Sequence, residues 1–359
     1  EAMRQARQAV RRALRERPGA EVVVTGCAAE LEAERFTDMG ARVVRNDVKG
    51  LTESYGAGAA VARSETYSPA LSGADHARAF LGVQTGCSHS CTFCATVIAR
   101  GTARSATVDA VLDSARVALN RGQREIVLTG VDLASYGDDS GTTLAALVEA
   151  LLALPIERLR LSSLDPDRID DALFALLTEE TRIMPHVHLS LQAGDDMILT
   201  RMKRRHRRAD AVRLTERLQA ARPEIAIGAD LIAGFPTEDE DMFAHTMALI
   251  DDCDIVFGHI FPYSPRAGTP AARMPQVGRS LARERAAKLR EANACRRMAW
   301  LDAQVGRTAS MLVECDGLSG HAGNFAALTL TKPAEPGSLV PVRLARRDGD
   351  RLIAESIAA

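Results

Sequence analysis

Aromatic side chains are scarce in this 359-residue chain, with one Trp, four Tyr and nine Phe, so any core has to be assembled mainly from Leu, Val, Ile and Ala. No apolar run approaches the ~20 residues needed to cross a bilayer as a helix. The opening stretch EAMRQARQAVRRALRERP lacks the apolar segment and small-residue cleavage site of a secretory leader. The expectation is a cytoplasmic protein with no membrane partner. A large excess of one charge is missing too. The formal net charge is −2, so nucleic-acid binding would have to come from local patches. Tandem repeats and low-complexity tracts are absent. Cysteine is sparse, and seven residues in a cytosolic chain argue against a disulfide framework. What remains is an ordinary globular composition, 46% hydrophobic and 26% charged, long enough for one large domain and one or two small ones.

Residues 2–17 carry six arginines on a helical pattern, and Pro18-Gly19 ends it. A short strand at 21–25, a helix at 28–39 and a strand at 42–45 make a small, incomplete α/β unit. Residues 64–78 are polar and read as a linker. From residue 79 a rhythm sets in. Strand-like runs at 79–85, 125–129, 158–162, 186–191, 225–231 and 255–261 alternate with helical patterns at 106–120, 142–153, 169–179, 195–204, 208–221 and 239–251. Such alternation predicts a parallel sheet with crossover helices. Six units fall short of a closed eight-unit barrel, so the fold class is α/β with an open, partial (β/α)6 barrel. Its chemistry is expected at the C-terminal ends of the strands. A long helix at 279–302 follows. Residues 305–359 then alternate in short stretches, which predicts a small five-stranded β-barrel.

The cysteine spacing carries the chemistry. Cys87, Cys91 and Cys94 form C-x3-C-x2-C just after the first strand of the repeated region. Three thiolates on one loop can hold three irons of a [4Fe–4S] cluster and leave the fourth iron open to a small molecule. A zinc site completed by His89 or a distant ligand, and inert thiols, are the competing readings. Zinc ligands usually come as two separated pairs, which favours the cluster.

Phe93, the aromatic before the last cysteine, completes a signature that resembles the radical SAM superfamily. The likeness extends over nearly the whole chain to the methylthiotransferase family, and within it to the branch acting on threonylcarbamoyladenosine in tRNA. It rests on VVVTGCAA at 22–29, GCSHSCTFC at 86–94, LTGVDLASYG at 128–137, RLSSLDP at 160–166, HLSLQAGDDMILTRMKRRH at 188–206, GADLIAGFPTEDE at 228–240 and HIFPYSPRAGTPA at 259–271. The resemblance implies an N-terminal methylthiotransferase domain over 1–63, a linker over 64–78, a radical SAM core over 79–302 and a TRAM-like RNA-binding barrel over 303–359. It implies S-adenosylmethionine (SAM) on the open iron and a second [4Fe–4S] cluster in the first domain. Cys27 matches the third ligand of that cluster. The other two would lie upstream of Glu1, so the expectation is a truncated N-terminus.

Further residues follow from the resemblance. Thr129, Gly130 and Asp132 end the second strand where the SAM amino group is expected. Ser162 and Ser163 end the third strand and Gln192 the fourth, all toward one mouth. In the run KRRHRR, Arg205 is a candidate cation for the SAM carboxylate or for phosphates. Gly234 falls in a segment expected to contact adenine. Arg343, Arg346, Arg347 and Arg351, with Asn324-Phe325, form a basic surface with a stacking aromatic, suited to loop RNA. Two departures from the family pattern, Thr85 and the stretch Ala95-Thr96-Val97, imply a loosened cluster loop or an altered reduction potential.

The expected activity is transfer of a methylthio group to C2 of threonylcarbamoyladenosine at tRNA position 37. The implied partners are the tRNA anticodon loop and a reductant such as flavodoxin or ferredoxin. Isopentenyladenosine in tRNA or a ribosomal-protein aspartate is the alternative target. A non-enzymatic zinc and RNA-binding protein is the alternative class.

Overall fold

The computed structural model describes residues 2–46, 48–49, 52–55, 67–74 and 76–357. The repeated region forms the expected arc of parallel strands. In chain order these are β4 (Arg78–Thr85), β6 (Glu125–Gly130), β7 (Arg158–Leu161), β8 (His186–Gln192), β9 (Ala226–Ala233) and β10 (Ile255–Pro262). β4, β6 and β7 pair in parallel, as do β8, β9 and β10. Single bridges from Leu159 to Ile183 and from Leu164 to Leu189 join the two groups. Among the described residues β10 pairs only with β9, which leaves that side of the arc open. The other side is extended by the antiparallel β3 (Ala70–Ser72) and β5 (Arg104–Ser105). β3 lies inside the stretch read as a linker, of which residues 64–66 and 75 fall outside the described residues.

The crossover helices start where the sequence supplies caps. Thr107, Thr143, Asp170, Asp195 and Asp239 each accept a backbone N–H of the first turn. They open α5 (Val108–Asn120), α6 (Leu144–Leu152), α7 (Asp171–Glu179), α8 (Asp196–Met202) and α10 (Glu240–Asp252). α9 (Arg208–Ala221) lies between α8 and β9. α4 (Thr96–Arg100) follows the cysteine loop directly. A core of Leu, Ile, Val and Ala fills the space between helices and strands.

In the N-terminal unit, α1 (Ala2–Glu16), β1 (Val23–Thr25) and β2 (Arg42–Val44) appear as expected, with the two strands parallel. The single helix expected over 28–39 is two, α2 (Cys27–Leu31) and α3 (Ala33–Asp38). The break is at Glu32, which leaves helical dihedrals (φ −130, ψ 41) while its carboxylate takes Arg7 at 2.7 Å.

α11 (Arg279–Asp302) packs on β10 through Asn293, which accepts from the Gly258 N–H at 3.0 Å and donates to the Ile255 carbonyl at 2.7 Å. The helix leads into a closed barrel of β11 (Thr308–Val313), β12 (Ser319–Ala322), β13 (Ala327–Leu330), β15 (Arg351–Ser356) and β14 (Leu339–Asp348), with its own core. That barrel docks against the N-terminal end of the large arc. Arg158 donates to the Ser310 carbonyl at 2.5 Å and Arg160 to the Gly323 carbonyl at 3.1 Å, and Arg78 pairs with Glu314.

Candidate active site

The loop after β4 is held from three directions. Gly86 has φ +74, and a Cβ there would meet the Thr102 carbonyl oxygen at 2.0 Å, so only glycine fits. The Cys87 N–H donates to the Gly101 carbonyl at 3.1 Å. Buried Thr92 donates its N–H to Met202 O at 3.1 Å and its hydroxyl to Arg201 O at 2.7 Å, and its carbonyl accepts from Ala271 N at 2.9 Å. Phe93 anchors the loop by packing edge-on to Phe235, ring centroids 6.4 Å apart. The three cysteines are thus carried on a fixed scaffold rather than a free loop.

Their surroundings are half buried and polar. Cys87 donates to Asp132 Oδ2 at 3.4 Å, and burial pushes its thiol up to about 12, with the Asp132 charge adding to the effect. Burial also raises the Cys91 thiol. Such thiols stay protonated near neutral pH until a metal replaces the proton. Cys94 donates to Thr96 Oγ1 at 3.0 Å and accepts from Thr96 N–H at 3.4 Å. Thr96, one of the departures from the family pattern, is therefore a hydrogen-bond partner of a candidate cluster ligand.

Asp132 collects contacts. Gln84 Oε1 accepts its N–H at 2.9 Å, Ser135 donates to Oδ2 at 2.8 Å, and His89 Nε2 is 3.2 Å from the same oxygen. Burial alone would raise its carboxyl, but the His89 and Ser135 contacts outweigh that and hold it below the usual range. Thr129 and Gly130 lie half buried beside it at the end of β6, Gly130 packed against Gln84. The Ser162 hydroxyl is buried at the end of β7 and has no hydrogen-bond partner among the described residues. Gln192, at the end of β8, takes φ +70, the left-handed region that non-glycine residues enter mainly where the surroundings impose it.

The cation that enters the site is Arg204, not Arg205. Arg204 lies 3.7 Å from Cys91 Sγ, and donates to Asp165 Oδ2 at 2.6 Å and to the Ser190 carbonyl at 2.8 Å. Arg205 is more than half exposed and reaches only Asp167, at 3.9 Å. Lys203 decides this by closing α8 in the left-handed conformation, which turns the next residue inward. Gly234 has a packing role besides the one expected of it. At φ +72 it faces α11, where a Cβ would come within 2.3 Å of the Ala282 Cβ, so its missing side chain admits a helix.

Two further assignments change. Phe325 is not a free stacking platform. Its ring lies 4.8 Å from the His321 ring at 18° and 5.1 Å from His186, with the Arg160 guanidinium 4.8 Å from its centroid. It plugs the junction between the arc and the small barrel. Arg347 is held by Asp302 at 2.6 Å, whereas Arg343 and Arg346 are exposed. Cys27 opens α2 and accepts from Arg100 Nε at 3.2 Å, which puts it against the helix that follows the cysteine loop.

The lumen of the arc holds polar groups that periodicity alone did not mark. His188 Nε2 and His259 Nδ1 lie 3.2 and 3.4 Å from the same Asp230 oxygen, and the two rings are 4.5 Å apart. Below them, Glu125 meets Arg160 at 3.2 Å and Arg78 and Arg158 at 3.6 Å each. The signal was present as polar residues at alternate positions of otherwise apolar strands (HVHLS, GADLI, FGHIF). Such positions face inward only once the strands curve into an arc.

The radical SAM superfamily profile matches residues 81–250. Threonylcarbamoyladenosine tRNA methylthiotransferase MtaB of Rickettsia prowazekii (strain Madrid E) is 39% identical, over 96% of this chain and 85% of its own length. The same-named protein of Aquifex aeolicus (strain VF5) is 33% identical over 86% and 80%. The chain belongs to the radical SAM methylthiotransferase family. A tRNA-2-methylthio-N(6)-dimethylallyladenosine synthase of Roseobacter denitrificans (strain ATCC 33942 / OCh 114) is 35% identical over 78% of this chain and 66% of its own.

A radical SAM methylthiotransferase holds a [4Fe–4S] cluster and SAM, and the residues present fit both. Three half-buried cysteines on one short, well-anchored loop are the ligand set of a [4Fe–4S] cluster with one open iron, and the Arg204 guanidinium, 3.7 Å from Cys91 Sγ, would offset the negative charge of such a cluster. No helix among the described residues is long and apolar enough to cross a membrane.

Proposed function

We propose that this protein transfers a methylthio group to C2 of N6-threonylcarbamoyladenosine at tRNA position 37. The carrying observation is the family membership together with the cysteine loop held against Asp132 and Arg204. When bound, the cluster and SAM supply the one-electron chemistry that activates an unreactive C–H bond. The chain's own residues then divide the remaining work. Cys87, Cys91 and Cys94 would hold three irons. Asp132, with Thr129 and Gly130, would receive the SAM amino group, and Arg204 would take its carboxylate. Ser162 and Gln192, at the ends of their strands, would face the bound SAM.

A second cluster is proposed for the N-terminal domain, with Cys27 as one ligand. Its position beside Arg100 supports a short path to the first site. Arg343 and Arg346 are proposed for phosphates of the anticodon stem, and a flavodoxin- or ferredoxin-like protein as reductant. The proposed domain limits are 1–63, 79–302 and 303–359, with 64–78 between the first two. The test is reconstitution with iron, sulfide, SAM and reductant on tRNA carrying threonylcarbamoyladenosine, followed by nucleoside mass spectrometry. The methylthio nucleoside is expected. Its absence, with product appearing instead on isopentenyladenosine tRNA, would move the assignment to the sister branch.

A further inference from the structure

The His188–Asp230–His259 group lies where the arc is open. β10 is the free edge, and its residues alternate, so that Phe257, His259 and Phe261 share one face. Phe257 contacts His186 and Phe325, which identifies that face as the lumen side. Asp230 Oδ1 engages His188 through Nε2 and His259 through Nδ1. This leaves His259 Nε2 pointing away from the carboxylate, on a side chain 65% exposed. Asp230 is held at about 2, because the two imidazoles outweigh its burial, and its hydrogen bond in turn raises His259. The arrangement turns the Nε2 edge of His259 toward the open side of the arc, with Asp230 hydrogen-bonded behind it. Phe261, two residues nearer the cysteine end, is 55% exposed on the same face.

The charges beneath are paired among themselves. Three guanidiniums, Arg78, Arg158 and Arg160, are opposed by the carboxylates of Glu125 and Glu314. The acids nearer the mouth are already engaged, Asp132 beside His89, Asp165 with Arg204 and Asp167 with Arg205. Each of these carboxylates, and Asp230 itself, is taken up by a guanidinium or an imidazole, which leaves His259 Nε2 as the donor an entering anion can meet. The threonylcarbamoyl substituent carries a carboxylate. C2 and C6 flank N1 on the same edge of adenine, so a base presenting C2 to the cysteine end carries its N6 substituent to one side of the reacting carbon.

We propose that His259, oriented by Asp230 and backed by His188, is a specificity-determining residue that donates through Nε2 to the carboxylate of the N6 substituent, with Phe261 stacking on the base. This rests on threonylcarbamoyladenosine being the substrate. The experiment measures binding of fluorescent anticodon stem-loops to the reconstituted protein. Three loops differ only at position 37: threonylcarbamoyladenosine, its carboxylate methyl ester, and adenosine. Wild type is expected to prefer the free acid to the ester by about 10–150-fold, the range of one hydrogen bond to a charged group. His259→Gln, at an exposed position that leaves the fold intact by thermal melting, is expected to bring that ratio near one while leaving affinity for the adenosine loop unchanged. Asp230→Asn should reduce the ratio partway. If wild type prefers the acid and His259→Gln keeps the preference, the His259 assignment falls and the substrate stands. If wild type shows no preference for the modified loops over adenosine, the substrate reading falls and takes this assignment with it. Tight zinc binding by wild type that His259→Gln abolishes would also overturn the proposal, by making the three residues a metal site.

Discussion

Replacing Glu125 with Gln keeps the shape of a side chain that is 1% exposed but removes the carboxylate that three guanidiniums share. Arg160, Arg158 and Arg78 all lie within 3.6 Å of it, and the first two are themselves almost fully buried. Their remaining partners are mostly neutral carbonyls, with only Glu314 left as an anion near Arg78. Uncompensated buried charge of this kind costs about 3–5 kcal/mol. For a domain of this size each kcal/mol moves the melting temperature by about 2–4 °C, so a fall of about 6–20 °C is expected. The assay is anaerobic thermal unfolding followed by circular dichroism. Glu314→Gln provides the control. The same charge is lost at a partly exposed position, where solvent screening limits the effect to about 1 kcal/mol. The pH dependence has a definite sign. Burial would raise the Glu125 carboxyl, but Arg160 and Arg78 hold it below its ordinary 4.5. A depressed carboxylate contributes stability that is complete above the unfolded value and lost as pH falls through the folded one. Wild type should therefore lose this contribution only below pH 4.5, whereas the Gln variant should show a shallower acid transition. A shift under about 2 °C for Glu125→Gln, or one equal to that of Glu314→Gln, would refute the argument that the network is held by one buried carboxylate.

Gly234→Ala forces a Cβ within 2.3 Å of Ala282 and should cost about 1–3 kcal/mol in denaturant unfolding, with α11 displaced from β9. Arg204→Ala should lower retained iron and SAM binding while Arg205→Ala leaves both near wild type, and Arg204→Lys should rescue poorly because a point charge cannot replace the fork; equal losses from the two alanine variants would reject Arg204 as the inward cation. Once iron displaces the Cys94 proton, the Thr96 hydroxyl 3.0 Å away becomes the donor, so Thr96→Val should lower the midpoint potential of the cluster, as read by anaerobic potentiometry. Arg343→Ala with Arg346→Ala should reduce the slope of log affinity against log salt for a stem-loop by about 1.4–1.8, the range for two phosphate contacts between the single-strand and duplex limits, and Phe325→Ala should leave that slope unchanged.

Local pattern was enough to read much of this protein. The six strands of the arc fall within a residue or two of the runs read from hydrophobicity, and α11 matches its expected limits. Apolar alternation and Thr or Asp caps act over a few residues, so they survive without knowledge of the rest. The cysteine loop was legible for the same reason, since its three candidate cluster ligands sit within eight residues. Other features depended on contacts distant in sequence. Arg204 and Arg205 are adjacent and chemically identical, and only the left-handed turn at Lys203 and the distant Asp165 decide which one enters the site. Phe325 reads as a stacking platform because it lies in a Gly-flanked loop, and Gly234 is marked only through a family resemblance. Their real neighbours, His186 and Arg160 in one case and Ala282 in the other, are at least 48 residues away. The His188–Asp230–His259 group needed three separate strands to come together. The sequence by itself therefore determined the elements and the chemistry confined to one loop. Tertiary structure alone decided which of several equivalent side chains faces the cavity, because that choice is made by curvature and packing between segments far apart in the chain.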